Sequence, residues 1–170
     1  MVAVTEATQA LLQVLEESMD LINKLIQSAG EKESLLVAAD VEGLSEVLER
    51  EEELVLTLQE KEQERISKAD ALANALGLSE SGLRLKDLIG LIDDADCGLR
   101  LTETGNRLSK ALDELASANS KIRELLHHQI DYTDFMLNLI INPKSKVHAY
   151  DIQGNTEENG QEPSLLEYHA

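Results

Sequence analysis

The feature that most restricts this chain is a succession of aliphatic residues spaced three and four apart, with no proline before Pro143. That spacing lines one face of a helix and no face of a strand. The first series is Val4, Leu11, Leu15, Ile22, Leu25 and Ala29, with Leu12, Met19 and Ile26 beside it. Thr5, Gln9, Glu16, Glu17 and Asp20 fall mostly off this near-heptad seam, and Gly30 is a stop or bend signal. Residues 31–39 read equally as a continuation of the helix or as a connection.

A second series follows Asp40, a good N-cap residue: Val41, Leu44, Leu48, Val55, Leu58, Ile66, Ala69, Leu72 and Leu76, closed by Gly77. Gly43 interrupts it at a cost of up to about 1 kcal/mol relative to alanine. The third periodic segment runs from Leu83 to Ile141. Its early register uses Leu85, Leu88, Ile92 and Leu99; its later one uses Leu101, Leu108, Leu112, Leu115, Ile122, Leu126, Met136 and Ile140. The change falls near Gly98 and Gly105 and predicts a bend there. As one helix this segment would extend about 88 Å and would need partner helices alongside.

Asn142-Pro143 ends the periodicity, and residues 144–170 are polar, with Gly154, Gly160 and Pro163. The expected fold is therefore all-α: long antiparallel helices in a three- to four-helix, coiled-coil-like bundle over residues 1–141, with a flexible tail over 142–170. Expected helices run about 4–30, 40–77 and 83–141, the last bent near 98–105.

Charge and composition exclude several classes. The chain holds 33 acidic and 15 basic residues among 170, a formal net charge of −18. Such a charge repels phosphate, so no nucleic-acid partner and no anionic-membrane docking is expected. No segment approaches the roughly 20 apolar residues that span a bilayer, so no stable membrane insertion is expected. Met1-Val-Ala-Val-Thr-Glu6 lacks a basic leader region, and the lone Cys97 makes no internal disulfide. A cytoplasmic protein is the expectation.

Sites for chemistry are scarce. Asp93, Asp94 and Asp96 precede Gly98, but an EF-hand loop in that register would carry Ala95, Cys97 and Thr104 where oxygen ligands belong. The cluster reads as a solvated helix face. His127 and His128 are adjacent, about 100° apart on a helix, and cannot share a metal. Cys97 has only Arg100 nearby to activate it, and nucleophile elbows and phosphate-binding glycine loops are missing. Neither an enzyme nor a cofactor is expected.

The aromatic residues are distributed unevenly. Tyr132, Phe135, Tyr150 and Tyr168 are the only four, and all lie in the last 39 residues. Aromatic side chains are enriched among interface anchors, whereas an aliphatic scaffold needs none. Tyr132 and Phe135 could alternatively cap the end of the bundle.

These residues carry a resemblance. Asn119, Leu125-Leu126, Ile130-Asp131-Tyr132-Thr133-Asp134-Phe135 and Leu139-Ile140 precede Asn142-Pro143 and Ala149-Tyr150-Asp151-Ile152-Gln153-Gly154. The pattern resembles the FlgN family of flagellar export chaperones, in the Gram-positive form with a Tyr-Asp-x-x-Gly element after Asn-Pro. The resemblance implies a cytoplasmic chaperone that binds the C-terminal segments of the hook-associated proteins FlgK and FlgL. It also implies docking at the flagellar export gate. Carried onto this sequence, it places partner binding at Tyr132, Phe135, Leu139 and Ile140 and at Tyr150, Asp151 and Gly154. Pro163-Ser164-Leu165-Leu166-Glu167-Tyr168 has no match in the family pattern and would be a second short docking element. A client helix laid in a groove of the bundle is the expected mode of recognition. The competing reading is a structural coiled-coil, homo-oligomeric or adaptor protein without a secreted client.

Overall fold

The computed structural model describes residues 2–78 and 83–141, so the tail expected over 142–170 lies outside the described residues. Among the described residues the chain is helical, without strands: α1 (Val2–Ala38), α2 (Val41–Ala75), α3 (Leu85–Ile89) and α4 (Ala95–Ile141). The described residues fall into two units, divided between Gln129 and Ile130.

In the first unit α1 is the central helix. Leu11, Leu12, Val14, Leu15, Met19, Ile22, Leu25, Ala29 and Leu36 are all buried, more than one narrow seam could supply. Two buried hydroxyls on this face are satisfied within the helix: Thr8 donates to the Val4 carbonyl (2.8 Å) and Ser18 to that of Val14 (2.7 Å).

The chain reverses at Ala39-Asp40. The Asp40 amide donates to the Leu35 carbonyl (3.0 Å) and the Ala39 amide to that of Leu36 (3.1 Å), while Ala39 takes φ 54°. This closes α1 in the left-handed manner of a Schellman turn. Asp40 then caps α2, its carboxylate accepting the Gly43 N–H at 3.0 Å.

Ion pairs fix α1 and α2 in antiparallel register: Lys32–Glu51 (2.5 Å), Arg50–Glu31 (2.8 Å) and Lys61–Glu17 (2.5 Å). Lys61 also meets Glu64 at 2.9 Å. The Lys61 ammonium holds the Glu17 carboxyl below its ordinary value, and the Glu17 and Glu64 carboxylates raise Lys61 in turn. Both partners are therefore charged at neutral pH. These pairs are partly exposed and set register more than stability; Lys32, nearly buried, is the one that needs its partner.

α4 runs parallel to α1. Lys121 pairs with Glu33 (2.7 Å), Gln129 Nε2 donates to the Leu36 carbonyl (3.2 Å), and Ile122 packs with Ala29 and Leu36. The larger core cluster lies at the opposite end, where Leu11, Leu12 and Leu15 meet Leu72, Leu88 and Leu101. α3 supplies Leu88 to that cluster and closes the end.

Several local expectations need correction. α1 does not stop at Gly30; it continues to Ala38, because Gly30 is exposed and nothing crosses it. The third segment breaks at Gly90–Asp94 rather than near 98–105, and α4 is helical through both Gly98 and Gly105. Asp94 explains the start. Its carboxylate accepts the N–H groups of Asp96 (3.0 Å) and Cys97 (3.3 Å), satisfying donors at the helix N-terminus. In α2, Val41, Leu48, Val55 and Ile66 are exposed, while Val47 and Ala73 are buried.

Gly43 also has a structural reason. A Cβ there would meet Asp40 Oδ2 and Leu35 Cδ2 at 2.8 Å, disturbing the cap. At Gly30 a Cβ would meet nothing within 4 Å. Gly30→Ala is therefore expected to stabilise the fold by about 0.5–1 kcal/mol, and Gly43→Ala to show no such gain. Urea denaturation midpoints of the two variants check this; equal gains would contradict the close packing at the turn.

Candidate partner-docking site

The expected site residues divide into two groups. Tyr132, Phe135, Leu139 and Ile140 lie on the last turns of α4, whereas Tyr150, Asp151 and Gly154 lie outside the described residues. The helix positions are best understood from the register of α4. Leu101, Thr104, Leu108, Ala111, Leu115, Ala118, Ile122 and Leu125 step by three and four and are buried or half-buried. This seam differs from the one expected from sequence, because Leu112 and Leu126 are exposed.

The same steps continue through Gln129 to Tyr132, Met136 and Leu139. From His127 to Ile141 every residue is exposed. Phe135 and Ile140 flank the continued seam, at 59% and 71% exposure. Tyr132, Phe135 and Leu139 follow at three- and four-residue steps and share one side of the helix. Met136, Leu137 and Ile141 extend the apolar surface around them. Met136 was legible in the periodicity but its exposure was not, since spacing does not report which turns are covered. The only charged residues between 130 and 141 are Asp131 and Asp134.

Other sequence features fill structural roles. Asp94 is a helix cap whose carboxyl is held below its ordinary value, first by the Cys97 amide and then by the Cys97 thiol. Burial, with Asp94 adding to it, pushes the Cys97 thiol up, the opposite of an activated nucleophile. Among the described residues no group of three His, Cys, Asp or Glu side chains is placed to hold a metal ion. No described helix is long and apolar enough to cross a membrane.

The fold and this helix end define an acidic three-helix bundle whose longest helix finishes in an exposed apolar surface. A family model described as FlgN protein matches residues 1–158, and the chain belongs to the FlgN family. That family consists of flagellar export chaperones, and the general role of this chain in flagellar assembly follows from membership. Neither a comparison with curated proteins nor one with solved structures returned a match.

Proposed function

We propose that this chain is a cytoplasmic export chaperone for the hook–filament junction proteins FlgK and FlgL, binding their C-terminal helical segments and delivering them to the flagellar export gate. One observation carries the reading: the α4 seam, covered as far as Leu125, continues uncovered as Tyr132, Met136 and Leu139. An amphipathic client helix laid along these turns buries its own apolar face and theirs, as α1 does further along α4. Each aliphatic or aromatic side chain so covered contributes about 1.5–3 kcal/mol before ordering costs. Tyr150, Asp151 and Gly154 belong to the same proposal as a second contact element.

The net charge of −18 keeps the complex soluble and speeds encounter with basic docking surfaces. Co-purification with the C-terminal segments of FlgK and FlgL, read by light scattering on a sizing column, tests the assignment. The full chain is expected to hold a client and a chain ending at Gln129 to release it. A third chain ending at Ile141 separates the helix contribution from that of the tail. Failure to bind either client removes the reading. A symmetric dimer through the same helix end, without client, would establish the oligomerisation alternative instead.

A further inference from the structure

A groove unrelated to the end of α4 lies wholly within residues 2–129 and has a volume of about 290 Å³. Ser18 and Ile22 of α1, both buried, form its floor. Its apolar walls are Val55 and Leu58 of α2 and Leu108 and Leu112 of α4. Val55 and Leu112 remain 42% and 46% exposed. Leu48, one heptad before Val55, and Ile66, three turns after it, are also exposed on this side of α2, interspersed with Glu52, Gln59 and Glu62.

Three of the four polar residues at the groove, Ser18, Glu62 and Arg65, are already engaged, and the fourth, Gln59, is exposed. The Ser18 hydroxyl donates to the Val14 carbonyl, and the Glu62 carboxylate accepts both Arg65 Nε (2.7 Å) and Arg65 Nη2 (2.8 Å). Among the described residues no buried side-chain nitrogen or oxygen lacks a partner. A small polar ligand would find only the exposed Gln59 amide to orient it, whereas an apolar helix face needs no such group.

Charge narrows the occupant further. The helix segments that form the groove, residues 15–26, 51–66 and 104–116, carry eleven carboxylates and five basic side chains. Two of those bases, Lys61 and Arg65, are held by Glu17, Glu64 and Glu62. A second copy of the chain would bring the same acidic surface to the groove and be repelled. A helix with lysine or arginine flanking its apolar face is complementary in both respects.

We infer that this groove is a second docking site, built from residues other than those of the proposed client site, and that its occupant is a basic amphipathic helix of another protein. The probe is a labelled synthetic helical peptide with leucine at heptad a and d positions and lysine on the flanks. Its counterpart carries glutamate in place of every lysine. Binding to the full-length chain is read by fluorescence anisotropy, and the contact residues by NMR shift mapping. The lysine peptide is expected to bind with shifts centred on Ile22, Val55, Leu58 and Leu112, and to weaken as salt is raised.

Val55→Asp with Leu112→Asp is expected to weaken that binding by about 10-fold or more, and Phe135→Asp to leave it unchanged. Leu48→Asp, far from the buried floor, gives a smaller loss in the same direction and guards against misfolding of the double variant. The inference is overturned if the groove variants bind normally, if Phe135→Asp abolishes binding, or if the glutamate peptide binds as tightly. A dimer of the chain that dissociates on Val55→Asp would overturn it in favour of self-association.

Discussion

Replacing Phe135 and Leu139 together with aspartate is expected to weaken capture of the FlgK or FlgL C-terminal segment by about 100-fold or more. Both side chains are exposed, at 59% and 48%, so neither supports the fold in the free protein. At a filled interface each would be an apolar anchor worth about 2 kcal/mol or more on truncation, and two such losses exceed two orders of magnitude. The substitutions also place two further carboxylates beside Asp131 and Asp134, against an apolar client face. Aspartate in the last turn opposes the helix dipole, a cost of about 0.3–1 kcal/mol that leaves the bundle folded. Calorimetric titration together with circular dichroism separates the two effects. Unchanged affinity with unchanged helicity would sink the assignment of this surface to the client.

Leu101→Ala is expected to cost about 2–5 kcal/mol of stability, whereas Leu99→Ala, two residues away, should fall within about 0.5 kcal/mol of the parent. Leu101 is fully buried among Leu11, Leu12, Leu15, Leu72 and Leu88, so alanine there loses apolar burial and opens a cavity shared by four helices. Leu99 is 57% exposed on the same helix. Urea unfolding of the two variants measures the difference. Equal effects would mean that α4 is not packed into the core through this face.

Much of the architecture was legible because helical periodicity is a local property. The three–four spacing of aliphatic residues before Pro143, the cap at Asp40 and the closing signal at Gly77 each act within a few residues. They announced long helices in antiparallel succession, though not their exact bounds. Gly30 and the Gly98/Gly105 pair were misleading for the same reason. Glycine weakens a helix locally, but packing along α1 and α4 outweighs a cost of about 1 kcal/mol per residue. Asp94 starts α4 through side-chain hydrogen bonds, a signal present in the sequence but indistinguishable there from a patch of solvated acids.

The proposed docking positions were only half legible. The aromatic residues drew attention to Tyr132 and Phe135, since an aliphatic scaffold has no need of them. The groove at Ile22, Val55 and Leu112 left no such mark. Its exposed valine and leucine match the surrounding core residues in type and spacing.

From the sequence came that the chain is built of long helices, that its net charge is acidic, and that its aromatic side chains gather toward the C-terminus. The tertiary structure alone decided which turns of each seam are covered. Periodicity belongs to a single helix, whereas burial depends on the lengths and register of its neighbours. α1 has 37 residues and α2 has 35, against 47 in α4, and the turn between α1 and α2 lies level with Gln129. One continuous pattern of apolar side chains therefore serves as core up to Leu125 and as exposed surface from Tyr132 onward.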